Sequence, residues 1–336
     1  MKALQLTAPG KVEVVQVGEP PVSPTDVLLR VHYVGLCGTD LSSFRGTNPL
    51  IAYPRILGHE ISATVADTSA DGLWAAGTDV SVLPYANCGM CPSCKRGRPN
   101  ACQFNQTMGV QRDGAMTEYI SVPSTKIFTG HLGLKELCLV EPLTIGFHAA
   151  SRGRIEPSDI VAVFGCGGVG LGAIAASGFR GAKTIAVDIE EAKLAVASRA
   201  GATHTINTKR SDLSKELYEI TDGRGPDVII EAIGSPQTFR AAVEEVAFSG
   251  RVVYIGYAKQ PVCYETRLFV QKELDILGAR NAQPEDFRQV IAMLESGSFP
   301  VEDTISRVVP LEQAGEALQA WSDDPGKYQK IMVHVG

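Results

Sequence analysis

Four of the chain's eight cysteines lie in one short segment, spaced as C-x2-C-x2-C-x7-C. They are Cys88, Cys91, Cys94 and Cys102. Four thiolates at this spacing can surround one Zn²⁺ ion tetrahedrally, which leaves no coordination position for a substrate. The segment, residues 86–104, is therefore predicted to be a structural zinc lobe. The nearby Lys95, Arg96 and Arg98 would offset the negative charge of the cluster.

A redox role and a nucleic-acid-binding role fit these cysteines less well. A redox-active Cys-x-x-Cys pair would not need two further thiols at ligand spacing. A nucleic-acid-reading zinc finger would need a recognition helix or a broad basic face, and neither accompanies this segment in a chain of net charge −6. Eight cysteines without a secretory signal indicate metal ligation or catalysis rather than disulfides, and a cytoplasmic location is expected.

A second set of candidate metal ligands is spread along the chain before residue 142. Cys37 opens a Cys-Gly-Thr-Asp motif, His59 lies in Gly-His-Glu, and Glu141 precedes Pro142 where a helix is expected to begin. Taken singly, a cysteine is commonly a small buried apolar residue and a histidine a hydrogen-bonded one. Together, a thiolate, an imidazole and a carboxylate leave the fourth position of a tetrahedral Zn²⁺ open for water or alcohol, which is a catalytic arrangement.

A glycine-rich segment, Gly165–Gly170, follows an apolar strand and precedes an apolar helical stretch as G-x-G-x-x-G. Gly165 would permit a tight turn, Gly167 a close approach of the backbone to a pyrophosphate, and Gly170 helix-to-strand packing. A plain strand-to-helix turn is the alternative, but the six alternating strands described below favour a dinucleotide site. The residues assigned to this cofactor loop are Gly165, Gly167, Gly168, Val169 and Gly170.

Asp188 ends the second strand of the same unit. A carboxylate there can accept hydrogen bonds from both hydroxyls of the adenosine ribose, which favours NAD over NADP. Lys193 or Arg199 could meet a 2′-phosphate, but Asp188 would repel that group at short range.

Two kinds of structure must position these residues, because 336 residues exceed the usual size of one hydrophobic core. The first third contains short β-type runs separated by Pro and Gly, and this pattern predicts an irregular β-barrel. From about Pro157 apolar strands alternate with helices, which predicts a doubly wound parallel α/β sheet. Its six strands are expected at 160–164, 184–187, 203–206, 228–231, 251–255 and 274–277.

The end of the chain is expected to rejoin the first domain through a helix at 285–295 and strands near 306–309 and 331–333. The predicted domains are residues 1–145 with 283–336, and residues 146–282. One uncharged stretch, residues 160–179, is long enough to be considered as a membrane span, but its glycines fit a strand, a turn and a helix better. Neither a membrane nor a nucleic acid is therefore expected as a partner.

These motifs, in this order, resemble those of the zinc-containing medium-chain dehydrogenases, closest to the sorbitol and sugar-acid branch. The resemblance covers nearly the whole chain and implies a GroES-like catalytic β-barrel with an inserted Rossmann sheet. It implies Cys37, His59 and Glu141 as ligands of a catalytic zinc, with Glu60 alternating as a ligand or holding the bound water. Alcohol dehydrogenases of the family carry a cysteine at the position of Glu141, so this residue favours the polyol branch.

The activity expected from the resemblance is NAD-linked oxidation of a secondary alcohol in a polyol or sugar acid. The alcohol oxygen would take the open zinc position, and a hydride would pass to nicotinamide C4. Thr39 matches the relay hydroxyl of the family. Ser42 stands where many members carry a histidine and cannot act as a base near pH 7, so the relay would end in water or at another residue.

Substrate contacts are expected from residues outside the zinc ligands. Arg280 and Asn281 follow the last strand of the sheet, where polyol dehydrogenases place an arginine facing the substrate. Arg45 and Arg112 fall in loops near the zinc ligands, where each could pair with a sugar-acid carboxylate or be a solvated loop charge. Similar proteins are dimers or tetramers, so a homodimer or homotetramer is expected.

Two alternatives remain open at this point. A primary-alcohol dehydrogenase would share the fold and the zinc, although Glu141 and Arg280 argue against it. A zinc-less reductase or a non-catalytic cofactor-binding protein would lack ligands that this chain has.

Overall fold

The computed structural model describes residues 1–67 and 72–336, which form two compact units. The first unit comprises Met1–Glu141, Gln283–Glu295 and Val301–Gly336, and the second comprises Pro142–Ala282 and Ser296–Pro300. The sequence placed the first boundary after residue 145. The division falls instead after Glu141, inside a helix that continues across it.

The first unit is built mainly from short antiparallel strands, as its Pro- and Gly-broken sequence predicts. These strands are β1 (Lys2–Ala8), β2 (Lys11–Gln16), β3 (Asp26–Gly35), β4 (Arg55–Ile56), β5 (Glu60–Val65), β6 (Asp79–Val82), β7 (Tyr85–Ala86), β8 (Gln106–Thr107), β9 (Tyr119–Pro123), β10 (Ile127–Phe128), β17 (Ile305–Pro310) and β18 (Lys330–His334). The helices are α1 (Gly38–Phe44), α2 (Pro92–Lys95), α9 (Pro284–Glu295), α10 (Val301–Thr304) and α11 (Ala314–Asp323), and α3 (Leu134–Arg152) begins in this unit.

A seven-stranded sheet forms the centre of the first unit, in the order β10-β6-β5-β3-β18-β17 with β9 also paired to β3. The C-terminal strand β18 pairs antiparallel with β3, so the end of the chain returns to the first domain as the sequence predicts. A three-stranded sheet, β2-β1-β4, completes the barrel-like unit. Alternate residues of β3, including Leu29 and Val31, are buried in its core.

The second unit is a doubly wound parallel sheet. Its strands are β11 (Ile160–Phe164), β12 (Lys183–Asp188), β13 (His204–Asn207), β14 (Val228–Glu231), β15 (Arg251–Tyr254) and β16 (Asp275–Gly278), and its helices are α4 (Gly168–Phe179), α5 (Glu191–Arg199), α6 (Leu213–Ile220), α7 (Pro236–Glu245) and α8 (Arg267–Gln271). All pairs are parallel in the order β13-β12-β11-β14-β15-β16, which is the Rossmann order that the sequence predicts. The strands differ from the expected bounds by a residue or so at their ends.

Residues 160–179 form β11, the glycine-rich turn and α4, as expected from their glycines. Within the described part of the chain, no helix is both long and apolar enough to cross a bilayer.

Candidate active site

Cys37 lies in the short turn between β3 and α1. Its backbone N–H donates to Asp40 Oδ2 at 2.9 Å, so the Asp of the Cys-Gly-Thr-Asp motif closes the first turn of α1 over the cysteine. The Cys37 Sγ is 3.8 Å from Thr39 Oγ1. The thiol and the predicted relay hydroxyl therefore lie side by side.

His59 lies between β4 and β5 and is buried. Its Nδ1 is 4.0 Å from Asp40 Oδ1, and neither atom has a hydrogen-bond partner among the described residues. Burial by itself lowers the pKa of the imidazole. The negative charge of Asp40 and the adjacent Cys37 sulfur outweigh burial and raise this pKa well above 6.5. A buried imidazole among acidic groups is an environment that favours a bound cation.

Glu141 is buried in the interior of α3, not at a helix start as the sequence indicated. Pro142 suggested a start because proline is favoured at the first helical position. The helix instead begins at Leu134 and continues through the proline. The Glu141 Oε1 accepts a hydrogen bond from the hydroxyl of Tyr85 in β7.

Burial and neighbouring groups shift the pKa of Glu141 in opposite directions. Burial raises the pKa of its carboxyl to about 7, and the negative charge of Glu60 acts in the same direction. The positive charges of His59 and Lys330 and the hydrogen bond from Tyr85 act in the opposite direction. A bound cation would favour the carboxylate form, which is the form that ligates a metal.

Glu60 and Lys330 form a buried ion pair over Gly35. In the register of the sheet, β3 places Gly35 opposite Glu60 on one side and opposite Met332 on the other. Lys330 lies two residues before Met332 and so shares its face of the sheet. The Lys330 Nζ is 2.6 Å from both carboxylate oxygens of Glu60, and coordination of a metal by Glu60 would have to break this pair.

Gly35 makes the ion pair possible. A Cβ at this position would come within 2.0 Å of Glu60 Oε2. Cys138 also supports the ion pair, because its buried Sγ donates to the Glu60 carbonyl oxygen at 3.4 Å. Cys138 belongs to the core, as expected from the sequence.

Cys37, His59 and Glu141 fit a catalytic zinc by chemistry. A thiol, an imidazole and a carboxyl are donors that Zn²⁺ binds, and the charges of Cys37 and Glu141 both act on His59. The buried His59 Nδ1 faces Asp40, which leaves Nε2 as the ligand atom. Their ligand atoms are not gathered as closely as those of the cysteine lobe, which is the one group of metal-ligating type within 4.8 Å in the described residues.

The cysteine lobe fits a structural zinc by geometry as well. The Cys91 Sγ lies 3.5 Å from that of Cys94 and 3.8 Å from that of Cys102, and the Cys102 and Cys88 sulfurs are 3.6 Å apart. A tetrahedron with Zn–S distances of about 2.3 Å has edges of about 3.8 Å. The Ser93 hydroxyl and backbone N–H groups lower the pKa of Cys91 to about 5, so its thiolate form is favoured.

The glycine-rich loop fits a dinucleotide in the second unit. Gly165 has a φ of +95°, and a Cβ on Gly170 would come within 1.8 Å of the Gly165 carbonyl oxygen. Apart from its chain neighbours, no atom of the described residues would lie within 4 Å of a Cβ on Gly167, so space remains for a pyrophosphate. Gly168 and Val169 begin α4, whose N-terminus has no side-chain cap within the part of the chain that the structure describes and so offers N–H groups to an anion.

Asp188 ends β12 beside this loop. Its Oδ2 accepts from the Cys166 N–H at 2.7 Å, and its Oδ1 accepts from the N–H groups of Ile189 at 2.7 Å and Glu190 at 3.0 Å. These bonds fix a negative charge at the end of the strand, where a 2′-phosphate would be repelled.

The arginines named from the sequence have different surroundings. The exposed Arg45 is tied to α11, because its guanidinium donates to Ser322 Oγ at 2.9 Å and to the Ser322 carbonyl oxygen. Arg112 is half-buried, its guanidinium donates to the Pro84 carbonyl oxygen at 3.4 Å, and burial lowers its pKa. Arg280 and Asn281 follow β16 in the second unit.

Tyr85 and Lys330 are residues of these surroundings that the sequence did not reveal. Neither residue belongs to a motif, and each meets its partner only through the fold, Tyr85 across 56 positions and Lys330 across 270.

Two family models match the chain. "Alcohol dehydrogenase GroES-like domain" matches residues 23–131, and "Zinc-binding dehydrogenase" matches residues 168–296. The NADH complex of an alcohol dehydrogenase (rspB) from Escherichia coli CFT073 superposes with a TM-score of 0.90 at 27% identity, over 100% of this chain and 99% of that one.

Curated relatives match over most of their length. An uncharacterised zinc-type alcohol dehydrogenase-like protein of Haemophilus influenzae is 36% identical over 98% of both chains. Sorbitol dehydrogenase of Bacillus subtilis is 33% identical over 99% of this chain and 97% of its own, and L-galactonate-5-dehydrogenase of Escherichia coli is 30% identical over 89% of each. The chain therefore belongs to the zinc-containing medium-chain dehydrogenases, in the branch of polyol and sugar-acid dehydrogenases.

Proposed function

We propose that the chain oxidises a secondary alcohol of a polyol or sugar acid with NAD, and reduces the ketone in reverse. The observation that carries this proposal is the buried Glu141 carboxyl, whose charge, like that of Cys37, acts on the buried His59, because these three residues would together form a zinc site of the polyol type. When bound, zinc supplies Lewis acidity and NAD supplies the hydride acceptor.

The protein's own groups would divide the remaining work. Cys37, His59 and Glu141 would hold the zinc, and Asp40 would orient the imidazole from its Nδ1 side. The Thr39 hydroxyl, next to the Cys37 sulfur, would accept the proton of the substrate hydroxyl while passing its own proton toward solvent. Ser42 donates its own hydroxyl to the Thr39 carbonyl oxygen at 2.9 Å, so we place the end of the relay in solvent and not at Ser42.

The cofactor would bind at the second unit. The loop of Gly165–Gly170 would receive the pyrophosphate, and the fixed carboxylate of Asp188 would bind the ribose hydroxyls, which supports NAD over NADP.

Substrate recognition is proposed for three residues. Arg280 and Asn281 are retained from the family pattern. Arg112 is favoured over Arg45 for a sugar-acid carboxylate, since Arg45 is held by Ser322 whereas the buried Arg112 Nε has no hydrogen-bond partner among the described residues.

We also propose a homodimer or homotetramer in a reducing cytoplasm. The strand β16 forms an edge of its sheet, and the apolar Val270 and Ile276 nearby are 84% and 40% exposed. An unpaired edge with apolar neighbours supports pairing with a second copy.

The test is NAD reduction across polyols, sugar acids and primary alcohols, with zinc measured on the same sample. We expect activity on secondary alcohols and two zinc ions per chain. Activity confined to primary alcohols would favour the first alternative, and one zinc ion per chain without dehydrogenase activity would favour a zinc-less reductase or binding protein.

A further inference from the structure

The Tyr85 hydroxyl is a group of the catalytic surroundings that belongs to none of the motifs described above and that contacts a predicted zinc ligand directly. Its side chain is buried, and the hydroxyl donates to Glu141 Oε1 from a strand far away in sequence. A phenol hydroxyl has a single proton to donate, and here that proton is directed at one oxygen of Glu141. The hydrogen bond therefore fixes the orientation of the Glu141 carboxyl group.

Tyr85 is held in place by the pair of short strands between which the cysteine lobe lies. It pairs with Thr107, and Ala86 pairs with Gln106, in the two-residue strands β7 and β8. The segment between these strands contains all four lobe cysteines. Two-residue strands have little stability of their own, so the position of Tyr85 depends on whatever closes that segment.

A hydrogen bond to a lobe sulfur joins the two ends of this segment. The Cys88 N–H, two residues after β7, donates to Cys102 Sγ at 3.3 Å, which joins the start of the lobe to its end. The Met108 N–H, just after β8, donates to the Pro84 carbonyl oxygen at 3.1 Å and holds the other side of Tyr85.

We propose that Tyr85 is a positioning residue that fixes the Glu141 carboxylate for the catalytic zinc, and that the cysteine lobe acts on that zinc by holding Tyr85. This inference rests on the proposed function, because it assumes a zinc ion at Glu141. It gives the lobe a role beyond its own stability, since loosening the lobe would loosen a ligand of the other metal.

The first test compares Tyr85→Phe with wild type in the full-length zinc-loaded protein. Phenylalanine keeps the ring and removes only the donor. Because loss of a hydrogen-bond partner of a ligand typically weakens metal binding about 10- to 100-fold, one of the two zinc ions should transfer to a chromophoric chelator at a correspondingly lower chelator concentration. The lobe zinc should be unaffected. In Co²⁺-substituted protein, the absorption bands of the catalytic site should shift.

The matched control is Tyr254→Phe, which removes a hydroxyl that donates to the Phe239 carbonyl oxygen at 2.9 Å in the second unit. It should leave zinc transfer and the Co²⁺ spectrum unchanged. A purely structural role of Tyr85 would lower the unfolding temperature without moving the spectrum, and that result would overturn the proposal.

The second test addresses the lobe through Cys94→Ser, alone and combined with Tyr85→Phe. If the lobe acts through Tyr85, Cys94→Ser weakens the catalytic zinc in the wild-type background but adds nothing in the Tyr85→Phe background. Additive effects would overturn the role of the lobe. If Cys94→Ser does not fold, partial removal of lobe zinc from wild type and from Tyr85→Phe gives the same comparison.

The proposed function and the role of Tyr85 fail under different results. A wild-type protein with zinc only in the lobe would refute the proposed function. A wild-type protein with two zinc ions, together with Tyr85→Phe that releases them at unchanged chelator concentrations, would refute the role of Tyr85 alone.

Discussion

Replacing Lys330 by methionine removes the cation that neutralises a buried carboxylate. The side chains of Lys330 and Glu60 are 6% and 2% exposed, and the Nζ also donates to the Leu36 carbonyl oxygen at 3.2 Å. Loss of one partner from a buried ion pair costs about 3–5 kcal/mol, because the other charge is left uncompensated. Methionine is unbranched and of similar length, so the loss would come from the charge and not from a cavity.

Lys330 itself keeps its charge through neutral pH. Burial by itself lowers the pKa of Lys330, but the charge of Glu60 outweighs burial and raises it above 10.5. A group with a raised folded-state pKa contributes its full stability below its unfolded value and loses it as the pH rises through the folded value. Lys330 therefore stays charged at pH 7 and at pH 9. Because its charge also lowers the pKa of Glu141, the loss in Lys330→Met should be at least as large at pH 9 as at pH 7.

Tryptophan fluorescence is a suitable assay, since both tryptophans, Trp74 and Trp321, lie in the first unit with the ion pair. A loss of about 3–5 kcal/mol should lower the unfolding temperature of that unit by about 6–20 °C, at 2–4 °C per kcal/mol. Variants are compared at equal zinc content, because bound metal stabilises the folded state. Lys11→Met is the control. Its side chain is 72% exposed, and its loss should cost less than about 1 kcal/mol.

The double variant Lys330→Met with Glu60→Gln tests the reason for the loss. Gln removes the unpaired charge, so it should recover a large part of the stability. If Lys330→Met loses no more stability than Lys11→Met, or if the double variant is no more stable than Lys330→Met, an uncompensated charge on Glu60 is not the cause of the loss.

Three further predictions concern activity. Thr39→Val should lower kcat about 10²- to 10⁴-fold with both zinc ions retained, because the hydroxyl that takes the substrate proton is lost. Asp188→Ala should raise KM for NAD about 10- to 100-fold, because charged hydrogen bonds worth about 1.5–3 kcal/mol are lost. The same variant should reduce the preference for NAD over NADP. Arg112→Ala should lower kcat/KM for a sugar acid about 10- to 100-fold and leave that for a neutral polyol nearly unchanged, because only the acid carries a carboxylate.

Each of these predictions has its own control. Unchanged turnover and pH profile in Thr39→Val would remove Thr39 from the relay, and Thr39→Ser, which keeps a hydroxyl, should retain most activity. Asp188→Ala must be compared by thermal unfolding as well, because it also releases three backbone N–H groups. An equal loss on acid and polyol in Arg112→Ala would contradict carboxylate pairing.

The motifs with local chemistry could be predicted from the sequence. The cysteine spacing matches a tetrahedral site because all four ligands come from one short loop. The glycines of Gly165–Gly170 act through backbone conformation and close approach at a turn next to their own strand and helix. The six strands were predictable because apolar runs alternating with helices give a parallel sheet.

Other features were decided by register and packing. Pro142 has the local signal of a helix start but lies inside α3, because contacts along the helix override that preference. Arg45 lies in a loop near Cys37 in sequence, yet it is held by Ser322 in α11.

The residue types that metals and a dinucleotide need are evident from the sequence alone: the thiols, the imidazole, the carboxylates and the glycines. The further residues that support them can be identified only once the chain is folded. Lys330 reaches Glu60 because β18 and β5 flank β3 at Gly35, and Tyr85 reaches Glu141 because the cysteine lobe closes β7 on β8. Spacing along the chain encodes local geometry, whereas a contact between distant residues depends on strand register, which no single segment specifies.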